Sequence, residues 1–519
     1  MGIKQQLNLP YNEDLQVSLR TQHPDMLDFR ILSQSLDARG ANKGRPPKYQ
    51  YNVEIIKAGE VFEPNREVLP QIQGPKEMPL IVGAGPAGLF CALRLADHGV
   101  PCHLIERGDR ANKRMIQIGK YWRQGLLNLD SNVCFGEGGA GLFSDGKLIT
   151  RVKSPFVQYV LNRLVDFGAP KETAYLSNPH LGSNRIRQLI SKVSDYLEEK
   201  GCILEYNTRM VSLLREESDP QKIVGAELAD GRKIYSPNLV LAVGHSASEV
   251  YRHLADLKVP MKAKDFAIGV RMEHKRKLVD QIQLGEFAND PNLGAATYRL
   301  SHEDPTSFKG TYSFCMCPGG HVLSTGTDVD GIVINGMSNY SRSSPWSNAA
   351  LVVSVKAGDD FPVDSILGGL DFQREVENRA YKYSAEHGNG WQIPAQRMTD
   401  FLKNSKGKAE LPKSSIPSKT VSANLHEVLP DFVSSHLHKA LLKFDHKLPG
   451  IIAHEGLLLA PESRTSAPLT ILRDRESLES TMFKGLYPIG EGAGYAGGIT
   501  SAAVDGVKAA NSLLSPFLD

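Results

Sequence analysis

A glycine-rich loop between a predicted strand and a predicted helix constrains the fold more than any other feature of this sequence. The strand is 80–82, the helix is predicted over 89–97, and the loop between them has the sequence GAGPAG. In such a loop one glycine makes the tight turn, one lets the backbone approach a pyrophosphate, and one packs the helix on the strand. The helix start then faces the phosphates with about half a positive charge. The loop residues expected at the phosphates are Gly83, Gly85, Pro86, Ala87 and Gly88.

A second predicted strand, 102–105, follows the helix and ends at Glu106. Strand, glycine loop, helix and strand form a βαβ unit that opens a parallel sheet. An acidic residue at this position is expected to accept hydrogen bonds from the ribose hydroxyls of a dinucleotide, and its charge argues against a 2′-phosphate. The loop alone does not distinguish NAD from FAD.

Later segments extend the same predicted domain. An amphipathic helix over 184–200 precedes a strand at 203–206, and short strands follow between 210 and 235. A buried-type strand, 239–243, ends at Gly244. Because strand, glycine loop and helix return between 486 and 514, this nucleotide domain is predicted to be discontinuous.

The closing glycine segment decides between the two cofactors. With the first glycine loop, Glu106 and the strand before Gly244, the segment 486–500 resembles the glutathione-reductase-type FAD-binding fold. The resemblance implies that the acidic residue after the first terminal glycine bonds the ribitol chain, and that the last helix starts at the pyrimidine edge of the flavin. Amides at a helix start stabilise the negative charge that reduction places there. The residues implied are Gly490, Glu491, Gly498, Ile499 and Thr500, with glutamate at a position where the wider fold more often has aspartate.

Three further motifs narrow the resemblance. They are the segments 134–148, 314–320 and 335–340. Together with 490–499 they resemble a bacterial family of FAD-dependent dehydrogenases whose reactions are uncharacterised, and the match runs from the N-terminal module to the C-terminus. The resemblance implies a fold and FAD as cofactor, but no substrate.

Other residues are candidates for the cofactor site by position. The loop 136–147 follows the second strand, and its glycines would let backbone amides approach the flavin. Lys147 would offset the charge of the reduced flavin, or lie on the surface. Arg107 and Arg114 would meet adenine or phosphate, or form a solvated face. The remaining candidates are Gly139, Ala140 and Gly141 in the loop, and Met210 and Gly244 at the limits of two predicted strands.

The catalytic residues are not identified by any motif, and four candidates stand beside less specific interpretations. Cys317, with Cys315, would form a dithiol relaying electrons from the flavin, although a one-residue spacing strains a disulfide and also suits a packed strand end. His454 is an acid–base candidate or an interface histidine. Arg464 would clamp a carboxylate or phosphate, or form an ion pair between domains. Lys147 is the fourth candidate, and no metal site is predicted.

The length of 519 residues predicts two to four compact units. We expect an N-terminal α+β module over 1–76, with a helical stretch at 22–35 between strands at 4–9 and 49–56. The α/β FAD-binding domain, Rossmann-like and discontinuous, is predicted over 77–258 and 451–519, with an inserted mixed α/β substrate domain over 259–450.

Charge and hydropathy limit the partners. Lys plus Arg total 60 against 58 for Asp plus Glu, so no global field favours nucleic acid. The most apolar stretch, 79–93, is shorter than the ~20 residues of a spanning helix, and we expect a cytoplasmic protein. The predicted function is an FAD-dependent oxidoreductase acting on a small molecule, with NAD(P)H as a possible transient reductant and the oligomeric state undetermined. Two alternatives are an RNA-modifying or RNA-binding flavoprotein that uses the basic loop 39–48, and a non-catalytic FAD redox sensor.

Overall fold

A computed structural model describes residues 2–64 and 66–518. The N-terminal module contains β1 (Ile3–Pro10), α1 (Leu15–Gln22), β2 (Met26–Asp37) and β3 (Lys48–Lys57). Its strands form an antiparallel sheet in the order β1-β3-β2. The strands expected at 4–9 and 49–56 are confirmed.

The helical stretch predicted at 22–35 is wrong. The helix α1 ends at Gln22, and β2 occupies most of the predicted range. Short apolar runs fit both the helical and the strand period. Here pairing with β3 selects the strand, because β3 buries Val53 and Ile55 in the centre of the module.

A nucleotide-binding unit follows the linker. Its first part contains β4 (Leu80–Val82), α2 (Pro86–Asp97), β5 (His103–Ile105), α3 (Ala111–Gln124), α4 (Phe156–Asp166), α5 (Gly182–Glu199), β6 (Ile203–Glu205), β7 (Met210–Arg215), β8 (Ile223–Leu228), β9 (Lys233–Tyr235), β10 (Leu239–Leu241) and α6 (Ser248–Asp256). The predicted βαβ unit and the three short strands after it are confirmed. The strands β7, β8 and β9 form an antiparallel meander.

The middle of the chain is built differently, from longer strands and intervening helices. Its elements are β11 (Met261–Ala263), β12 (Phe266–Lys275), α7 (Arg276–Leu284), β13 (Ser301–Glu303), β14 (Gly310–Cys317), β15 (His321–Ser324), β16 (Ile334–Met337), β17 (Trp346–Val355), α8 (Gly368–His387), β18 (Ile393–Arg397), α9 (Met398–Phe401), β19 (Thr420–Ser422), α10 (Leu425–Val428), α11 (Asp431–Lys447) and β20 (Leu457–Glu462). The chain closes with β21 (Leu469–Ile471), β22 (Leu486–Pro488) and α12 (Ile499–Leu514).

A five-stranded parallel sheet has the order β22-β10-β4-β5-β6. The helices α2 and α12 pack against each other and contribute to the same buried cluster. Both are apolar over most of their surface, which is typical of fully buried helices. Because β4, β10 and β22 are parallel neighbours, the glycine segments that follow them emerge at one edge of the sheet.

A seven-stranded mixed sheet has the order β13-β14-β17-β12-β20-β18-β19. Its strand β20 lies at 457–462, so this sheet extends beyond the domain boundary predicted at residue 450. The strands β12, β17 and β20 are almost wholly buried. Within the described ranges, none of the helices combines the length and the hydropathy needed to cross a bilayer.

Candidate functional site

The first glycine loop has the backbone that its sequence predicts. Gly83 has a φ of +109°, and its amide donates to the Ile105 carbonyl at 2.8 Å. A Cβ added at Gly83 would lie 2.5 Å from the Ala242 carbonyl oxygen, and one at Gly88 would lie 1.9 Å from the Gly83 carbonyl oxygen. The turn and the close packing of α2 therefore both require glycine.

Gly85 is different. It has a φ of −77° and a ψ of −179°, an extended conformation that any residue adopts, and no heavy atom lies within 4 Å of an added Cβ. Pro86 follows as the first residue of α2. Neither the backbone nor the packing of the protein requires glycine here. The open space lies at the positive end of a helix, where it fits a pyrophosphate.

A second open helix start lies at α12. Gly498 precedes this helix with a φ of +150°, and no atom lies within 4 Å of a Cβ added at Gly497 or Gly498. Because the N-cap residues of α2 and α12 are both glycines, no N-cap side chain covers either helix start. Thr500 is buried, and its hydroxyl donates to the Leu148 carbonyl at 2.8 Å.

The loop 139–141, part of a short 3₁₀ turn that includes Ala140, lies between the two helix starts. A Cβ added at Gly139 would lie 3.1 Å from the Cα of Gly85. One added at Gly141 would lie 3.2 Å from Cγ1 of Ile499 and 3.5 Å from Cγ of Pro86. The structure therefore brings the predicted flavin loop between α2 and α12.

We call the space between these two helix starts the cleft, and the two remaining predicted glycines border it. A Cβ added at Gly490 would lie 2.8 Å from the Cβ of Ala87, at the start of α2. Gly244 has a φ of +72° and open space beside it. The buried Tyr251 hydroxyl donates to the carbonyls of Gly244 at 3.2 Å and Gly492 at 2.9 Å, which ties the end of β10 to the closing segment.

Glu106 is buried at the end of β5 and already holds the surrounding loops. Its carboxylate accepts backbone hydrogen bonds from Ala84 at 2.8 Å, and from Gly108 and Gly136 at 2.9 Å. A carboxylate has about four acceptor positions. Glu106 therefore positions the glycine loop and keeps limited capacity for ribose hydroxyls.

Arg114 has a structural environment that its sequence position does not indicate. It is fully buried, and its guanidinium donates to the carbonyls of Asn132, Val133, Glu137 and Gly139. Burial lowers its pKa to about 10. These contacts order the loop 132–139 and leave little of the guanidinium for adenine or phosphate.

Two other cofactor candidates are also engaged by the protein. Arg107 pairs with Asp130 and Glu249 and stacks over the Phe135 ring, with its guanidinium carbon 4.0 Å from the ring centroid. Met210 is buried at the start of β7, in the cluster that contains Ile105. Both lie near Glu106, and a contact with adenine remains a prediction.

Glu491 is half-buried, and its carboxylate makes no hydrogen bond or ion pair that the described residues provide. Burial raises its pKa to about 7; Lys264 opposes this shift, and Cys315 adds to it. Lys264 itself donates to the Gly494 carbonyl at 3.0 Å. An unpartnered carboxylate directly after Gly490, in the segment that leads to the start of α12, fits the hydroxyl groups of a ribitol chain.

Lys147 and the two cysteines lie together. The Lys147 ammonium donates to the Met316 carbonyl, between Cys315 and Cys317, and lies 3.9 Å from Asp145. Both cysteines are reduced thiols. Since Leu148 bonds to Thr500, this cluster adjoins the start of α12.

The remaining catalytic candidates have other surroundings. Arg464 forms a two-bond ion pair with the buried Glu377 and also donates to Thr327 and Asp328. It therefore links the end of β20 to α8, within the part of the chain that forms the seven-stranded sheet. His454 is exposed on a turn, and its carbonyl and ring contact Arg397 rather than the glycine segments.

His245 was not selected from the sequence. It follows Gly244 at the carboxyl end of β10, where polar residues of parallel sheets commonly meet ligands. Burial and the nearby Arg464 lower its pKa to about 4, so the imidazole is neutral at pH 7. Its Nδ1 contacts the Ser246 hydroxyl at 2.8 Å, while Nε2 has no hydrogen-bond partner in the described ranges. The sequence could have indicated His245, because this residue closely follows a buried strand of the parallel sheet.

Two family models match parts of the chain. The family of FAD-dependent proteins, C-terminal domain-like, matches residues 265–465, and the NAD(P)-binding Rossmann-like domain matches residues 81–115. An uncharacterised protein of Clostridium beijerinckii is 38% identical over 538 aligned residues, which cover 98% of each chain. Protein FixC of Escherichia coli K12 is 29% identical over 42% of this chain and 47% of FixC.

Solved structures show weaker similarity. The flavin-dependent brominase Bmp2 has a TM-score of 0.38 and 11% identity, over 84% of this chain and 78% of that chain. A geranylgeranyl bacteriochlorophyll reductase-like protein of Thermoplasma acidophilum has a TM-score of 0.36 and 13% identity, over 85% and 78% of the two chains.

The full-length relative and the FAD-dependent domain match therefore agree with the motifs around the glycine loops. The chain belongs to the bacterial FAD-dependent family that its sequence motifs resemble, and its cofactor is FAD.

Proposed function

We propose that this protein is an FAD-dependent oxidoreductase acting on a small molecule, with FAD extended between the starts of α2 and α12. The observation that carries the proposal is the pair Gly85 and Gly497. Both have ordinary backbone conformations, and both face open space. A glycine that the protein itself does not require is best explained by the close approach of a ligand.

The adenosine diphosphate half would lie on the first loop. The amides at the start of α2 would hold the pyrophosphate, with Gly85 as the point of closest approach. Glu106 would hold the loop in shape and offer its remaining acceptor position to the ribose. The open site beside Gly244 and the stacked Arg107 side chain both follow the carboxyl ends of parallel strands, β10 and β5.

The flavin half would lie between the loop 139–141 and α12, an arrangement of the glutathione-reductase type. Glu491 would accept from the ribitol hydroxyls, and the first amides of α12 would face the pyrimidine edge. The flavin supplies hydride or electron transfer. The protein contributes partial positive charge at the helix start, the Lys147 ammonium, and a neutral imidazole at His245 that can take up a proton on Nε2.

The substrate would be bound by the part of the chain that forms the seven-stranded sheet. This assignment supports a nucleotide-binding domain in two segments and a substrate domain inserted between them, with the insert extending to about residue 465 rather than 450. Transient binding of NAD(P)H as a reductant belongs to the same proposal.

Anaerobic reduction of the FAD-loaded protein tests this function. The flavin absorbance should bleach with NADH, NADPH or one member of a panel of small metabolites, and air should restore it. Flavin that dithionite reduces but none of these donors bleaches would favour the non-catalytic redox sensor. A colourless protein that takes up no added FAD would overturn the proposal.

A further inference from the structure

We infer that Cys102 and Cys202 are a redox-sensitive pair, which a peroxide converts into a disulfide that joins β5 to β6. The inference goes beyond the proposed function and does not depend on it. Both cysteines precede their strands, at the end of the parallel sheet opposite the glycine loop. The inference rests on the register of the strands, on a direct contact between the two sulfur atoms, and on the exposed turn before Cys202.

The register of the parallel sheet places the two cysteines opposite each other. His103 of β5 is paired with Ile203 of β6, and each cysteine lies one residue before its strand. The Ile203 amide donates to the Cys102 carbonyl at 2.9 Å, so the strand pairing extends to the cysteines. Neighbouring strands lie about 4.8 Å apart, and disulfides span Cα separations of about 4.4 to 6.8 Å. The backbone spacing therefore suits a disulfide.

The two sulfur atoms are already in contact. The Cys102 thiol donates to the Cys202 sulfur at 3.7 Å, and both cysteines are reduced. A disulfide bond of about 2.05 Å requires the sulfur atoms to approach by less than about 2 Å, a movement that side-chain rotations can supply. The cysteines of β14 differ, because the Cys317 thiol donates to the Cys315 carbonyl.

The two thiols differ in their access to solvent. Cys102 is fully buried, whereas Cys202 keeps 6% of its surface exposed and directly follows the exposed residues Lys200 and Gly201. No heavy atom lies within 4 Å of a Cβ added at Gly201, so this turn is open. The hydrogen bond between the thiols lowers the pKa of Cys202, although burial opposes this shift, and it raises the pKa of Cys102. Cys202 is therefore the sulfur that an oxidant meets first.

The reaction balances with a peroxide as the oxidant. The Cys202 sulfur attacks one oxygen of hydrogen peroxide, the O–O bond breaks, and Cys202 becomes a sulfenic acid while one water is released. The Cys102 sulfur then attacks the Cys202 sulfur, the S–O bond breaks, and a second water leaves with the proton of Cys102. The two thiols lose two electrons, and the peroxide gains them. A dithiol reductant reverses the change by exchange.

The disulfide would act on the strand pair that carries Glu106. At the other end of this pair, the Glu106 amide donates to the Glu205 carbonyl at 2.8 Å. The strand β6 is at the edge of the five-stranded sheet, and β5 is its neighbour there. A bond between the cysteines would close a loop of about 100 residues in the unfolded chain, which disfavours unfolding. Oxidation should therefore stabilise this edge of the nucleotide-binding sheet.

Peroxide treatment of the FAD-loaded, full-length protein tests the inference. Reduced protein is treated with hydrogen peroxide, the remaining thiols are blocked with iodoacetamide, and the digest is analysed by mass spectrometry without reduction. The expected product is a linked pair of peptides that contain Cys102 and Cys202, which dithiothreitol separates. A digest without this pair, or one in which Cys202 is joined mainly to the buried Cys91, would overturn the inference.

Three variants test the order of attack. Cys102→Ala should leave Cys202 as a sulfenic acid that dimedone labels, whereas Cys202→Ala should leave the buried Cys102 without label. Cys91→Ala is the matched control, because Cys91 belongs to the same buried cluster, and this variant should form the linked peptides as the wild-type protein does. Equal dimedone labelling in the first two variants would contradict the assignment of Cys202 as the first sulfur attacked.

Urea unfolding measures the effect of the bond on the protein. Oxidised wild-type protein should have a higher urea midpoint than reduced wild-type protein, and peroxide should not raise the midpoint of Cys202→Ala. Equal midpoints of the two wild-type forms would refute the stabilising role of the disulfide. The linked peptides are expected in apoprotein as well, because the cysteines lie at the end of the strands away from the glycine loop. A failure of FAD binding would therefore leave this test unaffected.

Discussion

Gly85 and Gly497 differ from the other glycines of the cleft in what requires them. Gly83, Gly244, Gly490 and Gly498 have positive φ values, and Gly88 is pressed against the loop backbone. Among the described glycines, these two alone combine an ordinary φ with empty space at Cβ. At the residue scale they are the positions where a substitution separates ligand binding from folding.

Gly85→Ala is expected to leave the apoprotein folded, with the free energy of unfolding changed by less than about 1 kcal/mol. The added methyl group would occupy the space assigned to the pyrophosphate, so the affinity for FAD should fall about tenfold or more, which is about 1.4 kcal/mol. Titration of apoprotein with FAD, followed by flavin fluorescence, measures the change.

Gly119→Ala is the matched control, because it adds a methyl group within α3 that meets only the end of the Arg123 side chain. This variant should bind FAD as the wild-type protein does. Equal FAD affinity in Gly85→Ala and Gly119→Ala would place the pyrophosphate elsewhere.

Glu491 gives a prediction about pH. Its pKa in the folded apoprotein is about 7, compared with an ordinary value of 4.5. The folded protein therefore retains a proton that the unfolded chain has lost, and the free energy of unfolding should fall as pH rises from about 4.5 to about 7. Glu491→Gln should reduce this fall by on the order of 2 kcal/mol. Urea unfolding of both apoproteins at pH 5 and pH 7.5 measures the difference, and parallel curves would refute the assignment.

At the element scale, the cleft depends on buried charges that hold loops against helices. Arg114 reaches from α3 to four carbonyls of the loop 132–139, and Arg473 pairs with Asp505, whose carboxylate also accepts from the Gly490 amide at 2.7 Å. Each of these groups fixes a glycine segment without facing the space assigned to FAD. They stabilise the shape of the site rather than the ligand directly.

Arg114→Met should destabilise the apoprotein by about 3 kcal/mol, because it leaves buried carbonyl groups without donors. It should also weaken FAD binding, since the loop 136–141 loses its support. Arg110→Met, at the residue that precedes the same helix, is the control: Arg110 forms exposed ion pairs with Asp195 and Glu198 and lies over the Tyr206 ring, and its loss should change stability by about 1 kcal/mol or less. Chemical denaturation compares them, and equal losses would contradict the structural role of Arg114.

The elements around the glycine loops could be predicted because local signals agree there: strand, turn glycine and helix start follow one another in sequence. The strand β2 could not be predicted, because its apolar residues fit both the helical and the strand period. Only its pairing with β3 selects the strand. The contacts of Arg114 were also hidden, since its four acceptors are backbone carbonyls, which carry no residue-specific signal. The pairing of β14 with β17 shifts register between Phe314 and Cys317, and the sequence does not specify this register.

At the scale of the whole molecule, the candidate cofactor site joins the first strand of the parallel sheet to the last helix of the chain. The five-stranded sheet takes β22 from beyond the middle region, and α12 packs directly on α2. A ligand held between these two helices would stabilise segments from both ends of the nucleotide-binding unit together.

FAD should therefore raise the stability of the protein as one unit. At a free concentration about 100 times its dissociation constant, it should add about 2.7 kcal/mol to the free energy of unfolding. Thermal unfolding followed by circular dichroism should show a higher Tm with FAD than with an equal concentration of FMN, which lacks the adenosine monophosphate half. Equal shifts with both flavins would contradict binding at the first glycine loop.

An experimental structure of the FAD complex tests the central claim most directly. The account predicts a pyrophosphate within hydrogen-bonding distance of the first amides of α2, beside Gly85, and an isoalloxazine ring at the start of α12, beside Ile499 and Thr500. A flavin bound in the reverse direction, or outside the cleft formed by these two helix starts, would contradict it.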